Sequence, residues 1–349
     1  MIILSRKEKK MNLFLKILLI LFISILIIVI TMISTAYFYL KNKLGKVEYV
    51  DIPKSEIIVN QGVTDSLATY RNIALFGIDA RSDTFGTGNR SDCIMIISLN
   101  EKTNDVKIMS VYRDTYLNID GHGLDKVTHA YSYGGPKLAL NTLNQNLDLN
   151  ITEFVAINFD TVRTVVDSVH GIQMNLDSQE VKYINSYINS LNKQFGTSSK
   201  NINKSGTYTL DGVQALAYCR IRYTDGGDYK RTERMRDVLT AVFNKAKTMG
   251  VGELNNLADT ILPHVSTNLK ENEIIGMIPK IASFNVSDSF GWPYKTKGIT
   301  KDRWYGVPVD LESNVSQLHK ELFGAENYEP TDTVKNISDK IVKNTGYKK

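Results

Sequence analysis

The chain has 349 residues, 42% of them hydrophobic, and a formal net charge of +5 at pH 7. This length suits one large domain or two ordinary ones, and so small a surplus of positive charge gives no sign of a nucleic-acid-binding protein. Only 12 of the 42 basic residues are arginine, so a cluster of arginines indicates a site that needs the guanidinium geometry.

The first predicted element is a membrane span at residues 17–40, which contain no charged side chain. A helix of this length, at ~1.5 Å per residue, crosses a ~30 Å hydrocarbon core with some tilt. The basic residues are more numerous before the span than after it, which places residues 1–16 in the cytoplasm and the rest outside the cell. A cleaved signal peptide is the alternative, but this run is too long and uniformly apolar for one.

Residues 41–70 are polar and are predicted to be a stalk, and residues 71–325 are predicted to form the folded, extracellular domain. Alternating strands and helices favour an α/β domain whose central sheet is covered on both sides. The predicted strands are residues 73–78, 94–99, 106–111, 154–157 and 172–176. The predicted helices are residues 137–147, a segment capped by Asp160, residues 179–191, a segment capped by Asp211, and residues 233–249, 251–262, 271–281 and 310–323. Residues 326–349 are predicted to be a polar tail, mobile from Thr331 onwards.

Residues 76–92 join two predicted strands through a glycine-containing loop with an acid and an arginine at each end. Asp79 and Arg81 begin this loop, and Arg90 and Asp92 close it. Two carboxylates brought together in this way could hold a hard divalent cation, and the two arginines could hold phosphate oxygens. A solvated loop with ion pairs is the alternative, because these strings are short.

Residues 220–236 hold five of the 12 arginines, and three further short segments raise the count to eight. Arg231 and Arg234 lie at a predicted helix N-terminus, where the dipole disfavours cations unless an anion binds there. Arg220 and Arg222 are expected to face the same way on a strand, towards an anion. Arg236 is expected instead to pair with a neighbouring carboxylate.

The remaining reactive or aromatic residues carry weaker signals. Cys93 and Cys219 are predicted to be free, buried thiols rather than a disulfide. The five histidines lack metal-ligand spacing, and His129 is interpreted as structural. Trp292 and Trp304 could contact a glycan, although packing is the favoured interpretation.

Six strings in this order, following one membrane span, resemble the LytR-CpsA-Psr family of envelope phosphotransferases: NIALFGIDAR, NRSD, VYRDT, KVTHAYSYGG, GTYTLDGVQALAYCRIR and GDYKRTER. The resemblance covers residues 71–245 in detail. It implies an α/β/α sandwich with a central mixed sheet, an arginine-lined pyrophosphate site and an apolar slot for a polyprenyl chain. It also implies transfer of a glycopolymer, of teichoic acid or capsule type, from undecaprenyl pyrophosphate to peptidoglycan.

The same resemblance assigns roles to individual residues. Asp79 and Asp92 would hold Mg²⁺ (or Mn²⁺), and Asp228 would be an orienting group or a base. The pyrophosphate contacts would be Arg81, Arg90, Arg113, Arg220, Arg222, Arg231 and Arg234. The family pattern expects a small residue at Lys230 and Gln at Met235, and these departures weaken the assignment of Arg234.

Two other functions fit part of this pattern. A polyprenyl pyrophosphatase would use the same anion site with water as the acceptor. A non-enzymatic transcriptional attenuator would need a DNA-reading helix, which is not visible, and the predicted cytoplasmic segment of ~16 residues is too short to fold alone.

Overall fold

A computed structural model of the chain describes residues 31, 34, 35, 37–39, 41–79 and 85–347. The chain divides into one unit, Met1–Lys46, and a second unit, Val47–Lys349. In the first unit the described residues between 31 and 44 are helical. Within the described part of the chain, no helix is both long and apolar enough to cross a membrane. The predicted cytoplasmic segment and most of the predicted span, residues 17–40, lie outside the described residues.

The strands of the second unit form one large mixed sheet and three two-stranded sheets. They are, in chain order, β1 (Glu48–Tyr49), β2 (Tyr70–Ile78), β3 (Ser91–Asn100), β4 (Asp105–Val111), β5 (Tyr116–Ile119), β6 (Gly123–Lys126), β7 (Glu153–Asn158), β8 (Ile172–Leu176), β9 (Gly206–Leu210), β10 (Val265–Thr267), β11 (Asn285–Trp292), β12 (Thr296–Thr300) and β13 (Trp304–Pro308).

The large sheet has the strand order β1-β10-β7-β2-β3-β4-β11. Strand β7 is parallel to β2 and β11 is parallel to β4, whereas β3 is antiparallel to both of its neighbours. Strands buried on both faces are expected to be apolar throughout, and β3 is an almost unbroken run of buried residues. Four of the five predicted strands therefore form the centre of this sheet, as β7, β2, β3 and β4. The fifth, residues 172–176, is β8, which pairs with β9 in a separate two-stranded sheet.

Helices cover both faces of the sheet and produce two hydrophobic cores. They are α1 (Val63–Ser66), α2 (Val127–Leu147), α3 (Phe159–Ser168), α4 (Ser178–Phe195), α5 (Gly212–Arg220), α6 (Gly227–Ala246), α7 (Val251–Ile261), α8 (Glu271–Met277), α9 (Leu311–Phe323) and α10 (Asp332–Thr345). Successive β3 side chains point to opposite faces: Ile94 packs in the core with α2, α9 and α10, and Met95 packs in the core with α3–α6. This arrangement confirms the predicted α/β class with helices on both sides of a mixed sheet.

Both predicted ends of the folded domain were wrong. Within the predicted stalk, β1 pairs with β10, and Ile52 and Ile57 are buried in the core. The predicted mobile tail contains α10, whose Val334, Ile337 and Ile341 are buried in the same core. The apolar residues of the predicted stalk do not sustain a helical or strand period. Val334, Ile337 and Ile341 do follow the helical spacing i, i+3, i+7, but the polar and lysine residues around them outweighed this signal.

Three local predictions also need correction. The cap of α3 is Asn158, not Asp160, because its side chain accepts the N–H of Thr161 at 2.8 Å. Helix α2 begins ten residues before the predicted start at 137 and has a kink at Gly134–Gly135–Pro136, where Gly135 has φ +64°. Arg220 and Arg222 are not on a strand, since the first ends α5 and the second follows it.

Substitution of Ile341 by Ala should therefore destabilise the whole second unit. Its side chain is 1% exposed, and loss of a buried isoleucine of this kind costs about 2–5 kcal/mol. The matched control is Asn336→Ala, an exposed position of the same helix, which should change stability by less than about 0.5 kcal/mol. The free energy of unfolding is measured by chemical denaturation, and equal values for the two variants would show that α10 is not part of the core.

Candidate functional site

Asp92 lies in a bulge at the start of β3. Between Gly77 and Ile78 the pairing advances one residue on β2 but two on β3, so Asp92 has no cross-strand partner. A bulge of this kind re-aims a side chain, and here it turns a carboxylate into a buried position, 8% exposed. Oδ2 of Asp92 accepts a hydrogen bond from Arg113 Nη1 at 2.7 Å, while Oδ1 is buried without a hydrogen-bond partner.

Asp79 and Arg90 bracket the loop that precedes Asp92. The N–H of Asp79 donates to the carbonyl oxygen of Arg90 at 3.0 Å. This bond joins the two ends of the loop, so the acid that leaves β2 and the acid that enters β3 lie at the same edge of the sheet. The side chains of Asp79 and Arg90 are exposed, and Arg81 lies outside the described residues.

Arg113 follows β4 and is held by three carboxylates. Besides Asp92, its Nε lies 3.2 Å from Asp228 Oδ2 and 3.6 Å from Asp114 Oδ2. Burial acts to lower the pKa of Arg113, but these carboxylates overcome that effect and raise the pKa. Asp114 also binds Lys126 Nζ at 2.7 Å. Asp114 is a positioning residue that was not predicted from the sequence, although it adjoins Arg113 in the VYRDT string.

The first turns of α6 supply the other half of the site. Gly226 and Gly227 both have positive φ, +88° and +51°, which lets the chain turn sharply into the helix. Asp228 Oδ1 then lies 3.1 Å from Arg231 Nη1, and Arg231 Nη2 donates to the carbonyl oxygen of Asp92 at 3.2 Å. Because Arg231 is almost fully buried and close to Arg113, its pKa is lowered, and its Nε has no hydrogen-bond partner.

Asp92, Arg113, Asp228 and Arg231 thus form a closed set of alternating charges, which we call the charge ring. Each arginine contacts both aspartates of the ring, one of these contacts being to a backbone oxygen. Opposite charges at this spacing hold one another in a fixed geometry. The residues come from three distant segments of the chain.

Arg220 and Arg222 lie at the rim of the charge ring. Arg220 is half-buried, with Nη2 at 3.8 Å from Asp160 Oδ1. Arg222 is exposed, yet it lies close enough to contribute to the lowered pKa of Arg231. Arg222 therefore adds positive charge beside Arg231, and Arg220, two residues before it, is also partly accessible to solvent.

The prediction that Arg234 contacts pyrophosphate does not fit its geometry. The side chain is 1% exposed, and all three of its nitrogens are used within the protein. Nε donates to Glu180 Oε1 at 2.9 Å, Nη1 to the carbonyl oxygen of Ile221, and Nη2 to Thr224 Oγ1 at 2.7 Å. Arg234 therefore fixes the segment that carries Arg220 and Arg222 instead of binding a ligand.

Arg236 also departs from its prediction. The side chain is buried, and neither Nε nor Nη1 has a hydrogen-bond partner. The predicted pairing with a neighbouring carboxylate is therefore not made through these two atoms. Burial lowers the pKa of Arg236.

An apolar cavity of about 90 Å³ lies directly beside the charge ring. Strands β2, β3 and β7 form one wall, and helices α3, α5 and α6 form the other; the lining includes Leu75, Gly77, Cys93, Met95, Phe159, Val162, Cys219, Met235, Val238 and Val242. Gly77 is needed here, because a Cβ on it would lie 2.7 Å from the Cβ of Cys93. Cys93 adjoins Asp92 in the chain, so the cavity begins where the charge ring ends.

The thiols and the histidine of the site have structural roles. Cys93 and Cys219 are free and buried, as predicted, and burial raises the pKa of each to about 12. His129 is buried, with Nδ1 at 2.8 Å from Asp125 Oδ2, which agrees with its structural interpretation. Within the described residues, no group of three or more acidic, histidine or cysteine side chains is placed to hold a metal ion.

Comparison with known proteins identifies what this arrangement resembles. A model of the LytR_cpsA_psr family matches residues 34–300. The polyisoprenyl-teichoic acid–peptidoglycan teichoic acid transferase TagT of Bacillus subtilis is 33% identical over 272 residues, which is 76% of this chain and 82% of that relative.

Solved structures of TagT show the same fold. One, of TagT bound to LIIa-WTA, is 28% identical with a TM-score of 0.60 and covers 80% of this chain and 98% of that one. Another, of the LytR-CPS2A-psr family protein YwtF (TagT) with bound octaprenyl pyrophosphate lipid, is 26% identical with a TM-score of 0.56, over the same shares of both chains.

Substitution of Arg234 by Ala should reduce stability by about 3–5 kcal/mol, because it leaves the buried carboxylate of Glu180 unpaired. Arg234→Lys should not restore stability, since one ammonium cannot reproduce the three-way contacts of the fork. The double variant Glu180→Gln/Arg234→Met removes both charges but keeps an acceptor for the N–H of Asp177, which Glu180 Oε2 accepts at 3.0 Å; it should be much closer to the wild type in chemical denaturation. If Arg234→Ala is as stable as the wild type, the structural role assigned to Arg234 is wrong.

Proposed function

This chain belongs to the LytR-CpsA-Psr family, and we propose that it transfers a glycopolymer of teichoic acid or capsule type from undecaprenyl pyrophosphate to peptidoglycan. The observation that carries the proposal is the position of the charge ring, which adjoins an apolar cavity on one side and exposed arginines on the other. A lipid pyrophosphate needs both surroundings at once, an apolar one for its chain and a cationic one for its head. The relative TagT has been solved with such a lipid bound.

The pyrophosphate head would be bound by the outer guanidinium groups. Arg113 and Arg231 are fixed by the charge ring, and Arg231 Nε remains an unused buried donor. Arg220, Arg222 and Arg90 are less constrained and would close over the phosphate oxygens from the rim. Phosphoryl transfer depends mainly on such positioning and charge stabilisation. Arg81 is proposed as a further contact on the family resemblance alone.

The polyprenyl chain would enter the apolar cavity between the sheet and helices α3 and α6. A volume of about 90 Å³ is smaller than the ~300 Å³ and more of ordinary ligand pockets. Helices α3 and α6 would therefore move apart to admit the chain. Val162 and Val242 on these helices would then contact the lipid.

Asp79 and Asp92 are proposed to hold Mg²⁺. The fit rests on Asp92 Oδ1, a buried oxygen without a hydrogen-bond partner, and on the exposed carboxylate of Asp79 at the same sheet edge. Mg²⁺ is commonly held by one or two carboxylates together with substrate phosphates, which suits a site with few protein ligands. When bound, the ion supplies charge stabilisation to the transferring phosphoryl group.

The reaction joins an acceptor hydroxyl of peptidoglycan to the phosphorus that carries the glycopolymer. The hydroxyl oxygen forms the new P–O bond, the bond between this phosphorus and the bridging oxygen breaks, and undecaprenyl phosphate leaves with that oxygen. Asp228, whose side chain is 33% exposed, orients the hydroxyl and takes its proton. Arg113 and Arg231 stabilise the charge on the phosphate oxygens. The product is a phosphodiester.

Residues 17–40 are proposed to anchor the chain in the cell membrane, with residues 1–16 in the cytoplasm and the second unit outside. The support is the uncharged sequence of this segment and the distribution of basic residues around it. An anchored domain would meet a lipid-borne donor at the membrane and the peptidoglycan beyond it.

Full-length protein given a short polyprenyl-pyrophosphate-linked glycan, peptidoglycan oligomers and Mg²⁺ should form a covalently linked product. Arg113→Ala should slow this reaction by roughly 100-fold or more, as loss of one positioned charge-stabilising donor does. Arg163→Ala is the matched control, because this arginine lies on α3 and pairs with Asp167, outside the charge ring. Release of free polymer without a linked product would indicate a pyrophosphatase instead.

Removal of divalent cations with a chelator should abolish product formation, and added Mg²⁺ should restore it. Asp92→Asn and Asp79→Asn should each weaken binding of Mn²⁺, measured directly on the protein by electron paramagnetic resonance, because each removes a carboxylate ligand. Asp225→Asn, an exposed acid of the loop before α6, serves as the control. Unchanged Mn²⁺ binding in both site variants would reject the assigned ligands.

A further inference from the structure

A second cavity, of about 260 Å³, lies on the other side of Asp228 from the apolar cavity. Its walls are aromatic and acidic: Tyr112, Tyr229 and Trp304 line it together with Asp114 and Asp228. Among the described residues that line it, none is lysine or arginine. Its size approaches the ~300 Å³ of small-molecule sites. Both lining carboxylates are already paired with cations outside the lining, Asp114 with Lys126 and Asp228 with Arg113 and Arg231, so the cavity favours a neutral ligand rich in hydroxyl groups.

Trp304 forms an exposed platform at this cavity. Packing was the favoured interpretation for both tryptophans, but they differ in the structure. Trp292 is fully buried, and its Nε1 donates to the carbonyl oxygen of Asn314 at 3.0 Å. Trp304, in contrast, is 43% exposed. A large aromatic side chain held at the surface of a cavity beside carboxylates needs a reason other than packing.

Two glycines hold the indole flat against the hairpin. Gly298 and Gly306 are cross-strand partners in β12 and β13, and Trp304 lies two residues before Gly306, on the same face. A Cβ on Gly298 would lie 2.6 Å from Trp304 Nε1, and a Cβ on Gly306 would lie 3.3 Å from its Cη2. The glycine pair therefore forms a bed for one face of the ring and leaves the other face open.

The β12–β13 hairpin contacts the residues that directly follow Arg113. The N–H of Gly306 donates to the carbonyl oxygen of Asp114 at 2.9 Å, and Gly306 bridges to Thr115. Tyr229 on α6 completes the connection, since its hydroxyl lies 3.3 Å from Thr296 Oγ1 and its ring packs on Tyr112 at 4.3 Å between centroids. Trp304 is thus held in a fixed position relative to Arg113 and Asp228.

We propose that Trp304 is the stacking platform for a sugar ring of the peptidoglycan acceptor, whose attacking hydroxyl it presents to Asp228. This inference rests on the proposed transfer reaction. The attacking and leaving oxygens of a phosphoryl transfer lie roughly in line, so the acceptor approaches from the side opposite the departing lipid phosphate. Along α6, the apolar cavity lies on the C-terminal side of Arg231 and the cavity lined by Trp304 lies on its N-terminal side. With the lipid in the apolar cavity, the acceptor would occupy the cavity lined by Trp304.

Trp304→Ala should raise KM for the peptidoglycan acceptor about ten-fold, the size of one good ring–ring contact. Trp304→Phe should retain most of the acceptor affinity, because it keeps an aromatic face. KM for the lipid-linked donor should stay unchanged in both variants. If KM for the donor rises and that for the acceptor does not, the platform serves the donor sugar and the acceptor assignment is wrong.

Gly298→Ala tests the platform without touching the indole. Because the new methyl group would displace Trp304, this variant should match the acceptor KM of Trp304→Ala, whereas Gly306→Ala, with its looser contact, should have a smaller effect. Thermal unfolding of each variant checks the fold. If Gly298→Ala folds, forms product and keeps a wild-type acceptor KM, the bed assigned to the indole is wrong.

A binding measurement separates this inference from the transfer reaction itself. Soluble, uncross-linked peptidoglycan glycan chains should change the intrinsic tryptophan fluorescence of the wild type, and Trp304→Phe should abolish that change because Trp292 is buried. Persistence of the change in Trp304→Phe, or its absence in the wild type, would overturn the platform. If glycan binding is seen but no linked product forms, the proposed function fails while the sugar site stands.

Discussion

The site depends on the ion pair between Arg113 and Asp92, 2.7 Å apart at the edge of the sheet. An arginine that is mostly withdrawn from water requires a partner, and Asp92 and Asp228 together provide it. The same two aspartates offset the charge of Arg231, which is buried still more deeply. The charge ring is therefore close to neutral by itself. In the proposed reaction, most of the positive charge that offsets a pyrophosphate would therefore come from the less constrained arginines, Arg90, Arg220 and Arg222, and from the proposed Mg²⁺.

The charge ring and the arginines at its rim also differ in how the backbone holds them. Asp92 is aimed by a bulge and Asp228 by a helix that begins at two glycines with positive φ. The bulge and the pair of glycines each fix the backbone conformation at, or directly before, the charged residue. Arg220 and Arg222, in contrast, lie where α5 ends. Their segment is held by Arg234, which donates to the carbonyl oxygen of Ile221 and to the buried carboxylate of Glu180. The rim can thus adjust to a ligand while its attachment stays rigid.

The amino-acid sequence predicted the α/β class and the segments that meet at the site, because apolar runs and clustered arginines are strong signals. It weakened the assignment of Arg234 relative to Arg231 only through the family pattern and gave Arg234 no other role. Both lie in the first turns of one helix, and only tertiary contacts show that Arg234 is directed at Glu180 and Arg231 at Asp228. The role of Trp304 was hidden for a similar reason, since the Gly298–Gly306 bed is a cross-strand relation. Helix α10 was missed because its stripe of buried residues, Val334, Ile337 and Ile341, is short and lies in a polar, lysine-rich segment.

Helix α6 connects all three parts of the proposed reaction through one stripe of side chains. Asp228, Arg231, Met235, Val238 and Val242 follow one another at helical spacing of three or four residues and therefore share a face. The stripe passes from the aromatic cavity, through the charge ring, to the apolar cavity. At ~1.5 Å per residue, Asp228 and Met235 lie ~10 Å apart along the axis, enough for a phosphate group between them. The family pattern expects Gln at position 235; methionine there extends the apolar wall to within one turn of Arg231. In the proposed complex, the boundary between lipid and phosphate would accordingly be set by a single helical turn.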